Sequence, residues 1–387
     1  MTPLPDPKPI RAFLDPRHLD LAARVAAFAA RDIATLPAPP DDGAARLQAR
    51  EILKRLGAGG WLAPIGDQDW RACCLIREAL GAASPLADAV FALQALGSLP
   101  VLLGGSADLK ARWLTPALQG RAMAGFAMTE PEAGSDVAAM GTTARREGND
   151  YVLDGGKTLI SNAGIADYYA VFASTDPAQG SKGISCFVVP ADLPGCRFVR
   201  PLVLSSPHPL GEVSFTGCRV PAANRLGAEG EGYKTGLGTL DRLRPTVGAA
   251  ACGMAGRALS EALDHATTRR QFGRPLADFQ LIQEKLSRMA TELAAARLLV
   301  YEAAWEKDQG ADRITLQAGM AKAFATEAAQ RIIDDAVQIL GGRGVLAEHP
   351  VDRLYRSIRA LRIYEGTTEI QHLVIAGHLI KKHRGEA

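Results

Sequence analysis

The sequence predicts an α+β fold in which an N-terminal helical domain, a middle antiparallel β-barrel and a C-terminal helical bundle follow one another. Apolar residues recur at helical spacing in the first third of the chain, short β-prone runs fill the middle, and long helical patterns return after it. The chain has 387 residues, of which 47% are hydrophobic and 22% charged, enough for two or three packed units. We therefore predict domains at residues 1–120, 121–231 and 232–387.

The N-terminal region is rich in Ala and Leu. The run LDLAARVAAFAARDI (19–33) keeps an apolar stripe at helical spacing, and Asp15 followed by Pro16 indicates a helix start. Pro and Gly residues between positions 37 and 43 interrupt this pattern. Further helices are predicted around residues 45–56, 70–80, 86–96 and 107–118.

The middle region changes to short β-prone runs. Gly, Pro, Asn and Asp separate the runs YVLDGGKTLISNA, YYAVFAST, GISCFVVP, CRFVRPLVL and GEVSFTGCRVP. Closely spaced strands without an intervening helix favour a small antiparallel barrel or sandwich.

Two long helices dominate the last region, around residues 281–305 and 314–340, and Asp308, Gln309 and Gly310 lie between them. A short joint between two long helices is typical of antiparallel neighbours in a bundle. The sequence contains no internal repeat.

Charge and composition argue against several classes of protein. The net charge is +2 and basic residues form no long run, so neither nucleic acid nor an anionic membrane is favoured as a partner. No apolar run approaches the roughly 20 residues of a membrane helix, and residues 1–10 lack the apolar core of a signal peptide. Six scattered cysteines without a C-x-x-C pair indicate free thiols. We expect a cytoplasmic protein that does not associate with membranes.

Several catalytic motifs are absent from the sequence. It contains no P-loop, no G-x-G-x-x-G at a strand-to-helix turn and no G-x-S-x-G nucleophile elbow. The seven histidines show no metal-binding spacing, and His372 and His378 lie on different faces of one helix. We therefore predict no metal site and none of the enzyme classes that these motifs mark.

Four segments carry polar residues that packing alone does not require. FAMTEPEAGSD (126–136) joins a strand to a polar turn, and GGKTLISNAG (155–164) places Thr, Ser and Asn near a strand end. TRRQFGRPLADFQ (268–280) sets three arginines between two helices, and arginine suits a pyrophosphate because its planar fork donates two aligned hydrogen bonds. Each segment is also compatible with a structural role, as a turn, a hairpin edge or a capping loop.

The fourth segment, QILGGRGVLAEHPVDRLYRSIRALRIYEGTTEIQ (338–371), places Glu365 beside Gly and two Thr residues just before a helix. Burial raises the pKa of such a carboxyl group toward the range that suits proton abstraction. The same residues are compatible with a helix cap, because Thr367 or Thr368 can cap and an acidic residue belongs in the first turn. The pattern leaves a general base and a cap open.

In this order, the four segments resemble the acyl-CoA dehydrogenase family over about residues 107–377. The resemblance implies helices, a β-barrel and a four-helix bundle in succession, with FAD as the cofactor. It implies removal of two hydrogens across the α,β bond of an acyl-CoA substrate, with the α proton leaving to a carboxylate and the β hydride to flavin N5. An electron-transfer flavoprotein as electron acceptor and a homo-oligomer, either dimer or tetramer, are also implied.

The resemblance assigns individual residues. Glu365 matches the usual catalytic base, and Leu243 stands at the position that carries the base in some other family members. Substrate contacts are implied for Ser135, Gly366, Asp241 and Arg244. Contacts with FAD are implied for Phe126, Met128, Thr129, Ser135, Leu159, Ile160, Ser161, Arg269, Gln271, Phe272, Phe279, Gln280, Gln338, Ile339, Leu340, Gly341, Gly342, Thr367, Thr368 and Glu369. Ser161 matches a hydroxyl near flavin N5, and residues 269–280 match a stretch that reaches the FAD of a neighbouring subunit.

The sequence departs from the family pattern at three places. Leu159 replaces a Trp that covers the flavin, so a flavin oxidase that produces hydrogen peroxide is an alternative. HPLGE (208–212) is atypical of a ligand-lining strand region, and residues 61–70 are shorter than the Gly-rich loop that shapes the acyl pocket, which leaves the acyl group open. An acyl group on a carrier protein and a non-catalytic FAD-binding scaffold are further alternatives, although a scaffold does not require Glu365.

Overall fold

The computed structural model describes residues 5–386, and its elements follow the predicted order of helices, strands and helices. The helices are α1 (Pro16–Phe28), α2 (Asp42–Ala58), α3 (Ala63–Asp67), α4 (Trp70–Ala83), α5 (Pro85–Gly104), α6 (Ala107–Leu109), α7 (Thr115–Leu118), α8 (Gly232–Thr268), α9 (Gln280–Asp308), α10 (Thr315–Leu340), α11 (Pro350–Leu361) and α12 (Thr368–Arg384). The strands are β1 (Ala124–Ala127), β2 (Thr143–Glu147), β3 (Asp150–Ser161), β4 (Tyr168–Ser174), β5 (Ile184–Pro190), β6 (Cys196–Pro201), β7 (Leu210–Pro221), β8 (Arg225–Leu226), β9 (Arg270–Gln271) and β10 (Arg274–Pro275).

The chain forms two compact units, each assembled from separate stretches of sequence. The sheet unit consists of Ala38–Gln68 and Ala89–Leu243. The helical unit consists of the described residues up to Pro37, Asp69–Asp88, and the chain from Arg244 onward.

One sheet organises the sheet unit, with strand order β6-β7-β3-β2-β4-β5-β8 and β1 paired to β4. The predicted antiparallel barrel is therefore not confirmed. Over residues 5–386 the path ends at β6 and β8 without closing, and both β1 and β2 pair with β4 in parallel.

The burial of β4 explains why this sheet need not close. Tyr168, Ala170 and Phe172 point into a core shared with apolar residues of α5 to α7, including Val101 and Leu114. The residues between them, including Tyr169, Val171 and Ala173, enter a second core formed with β3, β5 and β7. Successive side chains of a strand point to opposite faces, so β4 is buried on both sides. A sheet covered on both faces resembles a layered structure more than a barrel filled from within.

The helical unit is built on close helix contacts. The helices α9 and α10 match the two predicted long helices and pack against each other, and α10 also contacts α11 and α12. Small residues allow α4 and α8 to approach closely, since a Cβ on Gly253 would lie 2.0 Å from the Glu78 carbonyl oxygen. The core of this unit is correspondingly rich in alanine, with Ala250, Ala251, Ala255, Ala258, Ala262, Ala328, Ala329 and Ala336 among its members.

Helix α5 corrects the expectation about apolar runs. Its 20 residues have a mean hydropathy of 1.7 in the most apolar window, so by length and composition it could cross a membrane. Of that window, 78% is buried within the protein, as in the core helix of a folded domain.

Candidate active site

The predicted base lies in a left-handed turn just before α12. Glu365 has a φ of 56° and Gly366 a φ of 94°. The positive φ favours glycine at position 366, and a Cβ there would lie 2.4 Å from the Gln371 side-chain nitrogen, so that side chain would have to move. A left-handed glutamate costs backbone energy, and such strain often accompanies functional sites.

Three side chains hold the carbonyl groups of this turn. Arg244 donates from Nε to the Glu365 carbonyl oxygen at 3.0 Å, and Lys322 donates from Nζ to the Gly366 carbonyl oxygen at 2.8 Å. The Gln371 amide donates to both carbonyl oxygens, at 3.3 and 3.2 Å. The sequence had indicated only Arg244, and for a different role.

The Glu365 side chain has the electrostatic surroundings of a base. Its Oε2 atom is buried and has no hydrogen-bond partner among residues 5–386. Burial raises the pKa of Glu365, against the lowering effect of the positive charges on Arg77, Arg244 and Lys322. Burial also lowers the pKa of Lys322 to about 8, although Glu365 opposes this shift. The turn thus presents a carboxylate with an unused acceptor and cations close to it.

Arg77, on α4, is the buried cation that sequence reasoning missed. It donates to both carboxylate oxygens of Asp88, at 2.7 and 3.0 Å, and to the Thr246 hydroxyl at 2.9 Å. This bidentate pair compensates the charge of a side chain that is almost fully buried. A signal was present, because the charged pair Arg77 and Glu78 interrupts an apolar stretch of helix.

The residues after the turn make a helix cap. The Thr367 hydroxyl accepts from the Ile370 N–H at 3.3 Å, and the Thr368 hydroxyl donates to Glu327 at 2.7 Å. Glu369 is exposed in the first turn of α12. The cap is therefore present beside the candidate base, and the hydroxyls of both threonines already have protein partners.

A basic cluster lies elsewhere in the helical unit. Burial lowers the pKa of His265, and the positive charges of Arg343, Arg269 and His349 lower it further. These basic groups lower the pKa of His265 because nearby acidic groups do not fully neutralise them. Such a cluster suits an anion such as a pyrophosphate. Arg269 and Arg343 come from the two segments in which FAD contacts were predicted, and His265 is near both.

The other predicted residues of these two segments differ in exposure. Phe272 has a φ of 50°, is 93% exposed, and has its ring centroid 6.2 Å from that of Phe279. Ile339 and Leu340 place their side chains in the core, so only their main-chain atoms can face a ligand. The predicted residues with exposed side chains or surfaces are Arg269, Gln271, Gln280, Gln338, Gly341 and Gly342.

In the sheet unit, the two predicted flavin segments lie side by side. The Thr158 N–H donates to the Thr129 carbonyl oxygen at 3.0 Å. Beneath them, Lys157 Nζ donates to Glu130 at 2.6 Å and to the Met128 carbonyl oxygen at 3.2 Å. Sequence reasoning missed this buried ion pair, although each partner lies within a predicted segment.

Side-chain positions vary along these two segments. Met128 and Ile160 belong to the cores, Phe126 and Thr129 are half-buried, and Ser135 is exposed. Leu159 is 56% exposed, so the position that lacks the family's Trp leaves an open surface on the sheet unit. Ser161 is half-buried, with its hydroxyl 2.9 Å from His208 Nε2.

Left-handed backbone coincides with the predicted segments. Among residues 5–386, the non-glycine residues with positive φ are Gln68, Leu159, Asn162, Phe272 and Glu365. All but Gln68 lie in segments that the sequence had singled out for ligand contacts. Because such conformations persist only where the surroundings enforce them, they support a functional role for these segments.

Two of the predicted substrate contacts, Asp241 and Arg244, lie on α8. Asp241 is half-buried on α8, whereas Arg244 is buried and directed to the Glu365 carbonyl.

Within residues 5–386, His18, Asp69 and Asp308 are close enough to share a metal ion. His18 is bonded to Asp69 at 3.0 Å, and Asp308 accepts from Arg71 at 2.7 Å. These bonds already use the potential ligand atoms.

Comparison with known proteins matches most of the chain to the domains of one protein family. Family models for the acyl-CoA dehydrogenase N-terminal, middle and C-terminal domains match residues 15–121, 125–218 and 230–380. The chain is 40% identical over 342 residues to the 3-(aryl)acrylate reductase of Clostridium sporogenes, with 86% of this chain and 90% of that protein covered. It is 37% identical over 378 residues to the probable acyl-CoA dehydrogenase fadE25 of Mycobacterium leprae, with 95% and 96% covered. The structure matches butyryl-CoA dehydrogenase from Megasphaera elsdenii with a TM-score of 0.88 and 33% identity, over 95% of this chain and 99% of that one.

Proposed function

Since the chain belongs to the acyl-CoA dehydrogenase family, we propose that Glu365 is the base that removes the α proton of its substrate. The protein is an FAD-dependent oxidoreductase that dehydrogenates an acyl-CoA thioester. The observation that carries the assignment is the Glu365 carboxylate itself, which has an unpartnered buried oxygen and a left-handed backbone held by Arg244, Lys322 and Gln371.

The residues present fit FAD. The positive charge around His265, Arg269 and Arg343 suits a pyrophosphate, because guanidinium groups bind phosphate oxygens in pairs. The paired segments that contain Thr129 and Ser161 offer main-chain and hydroxyl groups to a heterocycle. When bound, FAD supplies the two-electron acceptor, and the protein supplies position and field.

Not every predicted FAD residue contributes in the same way. Met128, Ile160, Ile339 and Leu340 act through main-chain atoms in our proposal, because their side chains fill the cores. The side chains with exposed or half-buried surfaces remain proposed direct contacts, namely Phe126, Thr129, Ser135, Leu159, Ser161, Arg269, Gln271, Phe272, Phe279, Gln280, Gln338, Thr367 and Glu369, with Gly341 and Gly342 as main-chain contacts.

The chemistry assigned to this chain is proton transfer and orientation. The α C–H of a thioester is a weak acid, so its removal requires a well-placed carboxylate and a donor at the thioester carbonyl oxygen. We assign the first role to the Glu365 carboxylate and the second to the Glu365 main-chain N–H. Gly366, whose positive φ favours glycine, adjoins the thioester in this proposal. Arg244, Lys322 and Gln371 keep the turn in the required conformation.

The test is a spectroscopic titration of the purified holoenzyme without oxygen. Acyl-CoA esters of increasing length are added, together with an aryl-substituted ester because one relative is named 3-(aryl)acrylate reductase. Bleaching of the flavin band by one ester establishes the half-reaction and identifies the acyl class. A flavin spectrum that no acyl-CoA bleaches, but that a carrier-protein thioester does, would replace the proposed thiol carrier. A flavin that neither substrate bleaches would support a non-catalytic scaffold.

A second candidate function concerns the electron acceptor. We propose an electron-transfer flavoprotein as the acceptor, by analogy with the family. The open surface around Leu159 favours the alternative of an oxidase, because less protein would shield reduced flavin from oxygen. Readmitting air after bleaching distinguishes the two, since an oxidase regains its colour rapidly and releases hydrogen peroxide.

Assembly and location are also proposals. The helices α8, α9, α10 and α12 are assigned to a four-helix bundle, and the chain to a homo-oligomer, dimer or tetramer. An apolar groove of about 460 Å³, lined by Leu299, Phe324 and Ile375 among others, and the exposed Leu373 support a further protein surface in contact with the bundle. Light scattering on the holoenzyme measures the subunit number.

Six buried free cysteines fit a reducing compartment such as the cytoplasm.

A further inference from the structure

His208 is the residue of the atypical HPLGE segment for which the proposed reaction has given no role. It lies in the connection between β6 and β7, and its Nε2 atom is 2.9 Å from the Ser161 hydroxyl oxygen. Ser161 is the last residue of β3, in register with Leu210 at the start of β7. A histidine from one strand connection therefore holds a hydroxyl at the end of the neighbouring strand.

The connection that carries His208 is firmly anchored in the sheet unit. The Asn162 N–H donates to the Pro209 carbonyl oxygen at 2.9 Å. The Arg46 guanidinium donates to the carbonyl oxygens of Ala163 and Leu210, at 2.5 and 2.6 Å. Main-chain groups on both sides of the Ser161–His208 pair are thus fixed, and the pair's geometry does not depend on a free loop.

The charge of the imidazole is set by its neighbours. Burial and the Arg46 guanidinium lower the pKa of His208 to about 4, although Asp42 opposes them. At neutral pH the ring therefore has one N–H and one unprotonated nitrogen. Depending on the tautomer, Nε2 either donates to the Ser161 hydroxyl oxygen or accepts its proton.

We propose that His208 is a positioning residue that lets the Ser161 hydroxyl reverse the direction of its hydrogen bond as the flavin changes redox state. This inference rests on the proposed function and on the sequence resemblance, which implies that the Ser161 hydroxyl lies near flavin N5. With oxidised flavin bound, the Ser161 O–H would donate to N5 while His208 Nε2–H would donate to the Ser161 oxygen. With reduced flavin bound, the Ser161 oxygen would accept from N5–H, and the Ser161 O–H would donate to His208 Nε2. The imidazole would change tautomer between the two states, so its own number of protons would stay the same.

The experiment compares His208→Ala, His208→Gln, Ser161→Ala and the double alanine variant with the wild-type holoenzyme. Measurements are the reduction potential of the bound flavin, the Kd for FAD, and the rate of anaerobic bleaching. Loss of one neutral hydrogen bond corresponds to about fivefold in rate or affinity. We expect His208→Ala to lower the bleaching rate and the affinity for FAD by about this factor, with KM unchanged. We expect His208→Gln to regain both, because its amide both donates and accepts. Val203→Ala is the matched control, since Val203 is an exposed residue of the same connection.

The double variant provides the decisive comparison. If His208 acts through the Ser161 hydroxyl, the double variant equals Ser161→Ala in potential and rate. Additive effects, or a wild-type potential and rate in both His208 variants, would overturn the proposal. A misfolded His208→Ala is recognised by its thermal unfolding, and His208→Phe, which keeps a ring but lacks both nitrogens, then carries the test. If no acyl thioester bleaches the wild-type flavin, the proposed function fails, while the potentials and FAD affinities still decide whether His208 acts through Ser161.

Discussion

Arg244 Nε donates to the main-chain carbonyl oxygen of Glu365 at 3.0 Å, and so the arginine binds the backbone of the proposed base. Its charge lowers the pKa of the Glu365 carboxyl group at the same time. One residue thus holds the left-handed turn and favours the ionised form of the base. The sequence resemblance had implied a substrate contact for Arg244, and the internal hydrogen bond gives it an additional role.

Glu365→Gln is expected to retain yellow, FAD-bound protein and to lose turnover by several orders of magnitude. The amide keeps the shape of the side chain but cannot accept the α proton. Stopped-flow bleaching by the best acyl-CoA ester measures the loss. Glu302→Gln, at an exposed position of α9, is the matched control. A near-normal bleaching rate in Glu365→Gln would transfer the role of base to another group.

The rate of bleaching is expected to rise with pH through the pKa of Glu365, because only the carboxylate accepts a proton. Burial raises that pKa above the ordinary glutamate value of 4.5, and the Lys322 ammonium lowers it. Lys322→Met should therefore shift the rate profile to higher pH and reduce the rate at acidic pH. Lys381→Met, in the exposed last turn of α12, should leave the profile in place. An unchanged midpoint in Lys322→Met would mean that the ammonium does not act on Glu365.

Leu159→Trp is expected to slow reoxidation of the reduced flavin by air. The indole adds a large flat surface at a position that is now 56% exposed. The left-handed φ of 55° at this position costs a similar amount for Leu and Trp, so folding should be preserved. The recovery of the flavin band after addition of air is the measurement, with Leu159→Ala for comparison. Equal recovery in all three proteins would remove the structural support for an oxidase.

The long helices were predictable because their signal is local, and the proposed base was singled out for the same reason. The prediction of a helix at residues 314–340 matches α10 almost residue for residue, and Glu365 lies within a continuous motif. Lys322 was missed because it is a polar residue that the fold brings to the turn, whereas Gln371 lies six positions from Glu365 in the same segment and was missed although it is local. Lys322 is 44 positions from Gly366 and Arg244 is 121 positions from Glu365, so spacing along the chain contains no sign of these contacts.

The barrel prediction was not confirmed, for a related reason. The strand runs were recognised correctly, but whether a sheet closes depends on what covers its faces. The strands β4 and β5 are buried at every position, a pattern of two covered faces. The sequence shows such a strand as a continuous apolar run, and this pattern does not identify the layer that covers it. Helix α5 supplies part of that cover, which also explains its length and apolar composition.

Arg269→Ala is expected to weaken FAD binding by about tenfold to a hundredfold, the effect of losing hydrogen bonds to a charged group. It removes one of the cations that lower the pKa of His265, so the pKa of His265 should rise as well. The flavin content after dialysis and the Kd for FAD are the measurements, and light scattering reports on assembly. Arg384→Ala, at the exposed end of α12, is the control. Unchanged flavin content would exclude Arg269 from the cofactor site.

Lys157→Met is expected to destabilise the protein by about 3–5 kcal/mol, because it leaves the Glu130 carboxylate buried without its cation. Glu130 also accepts from the N–H groups of Gly141 and Thr142, at 2.6 and 3.0 Å, so the whole turn between the flavin segments depends on it. The double variant Glu130→Gln with Lys157→Met should recover part of the loss, since no charge remains buried. Thermal unfolding of the three proteins measures this, and a double variant less stable than Lys157→Met would contradict it.

The same pair predicts how the stability of the wild-type protein depends on pH. Although burial opposes it, Lys157 and the hydrogen bonds hold the pKa of Glu130 below the ordinary value of 4.5. A carboxyl group with a lowered pKa in the folded state contributes stability above pH 4.5, and this contribution is lost as the pH falls through the lowered value. Removing Lys157 raises that pKa, so in Lys157→Met this contribution is smaller and disappears at a higher pH. Unfolding temperatures between pH 7 and pH 3 should therefore differ most near neutrality and converge in acid. A difference that stays constant over this range would show that Lys157 stabilises the protein by packing, with no contribution from its charge.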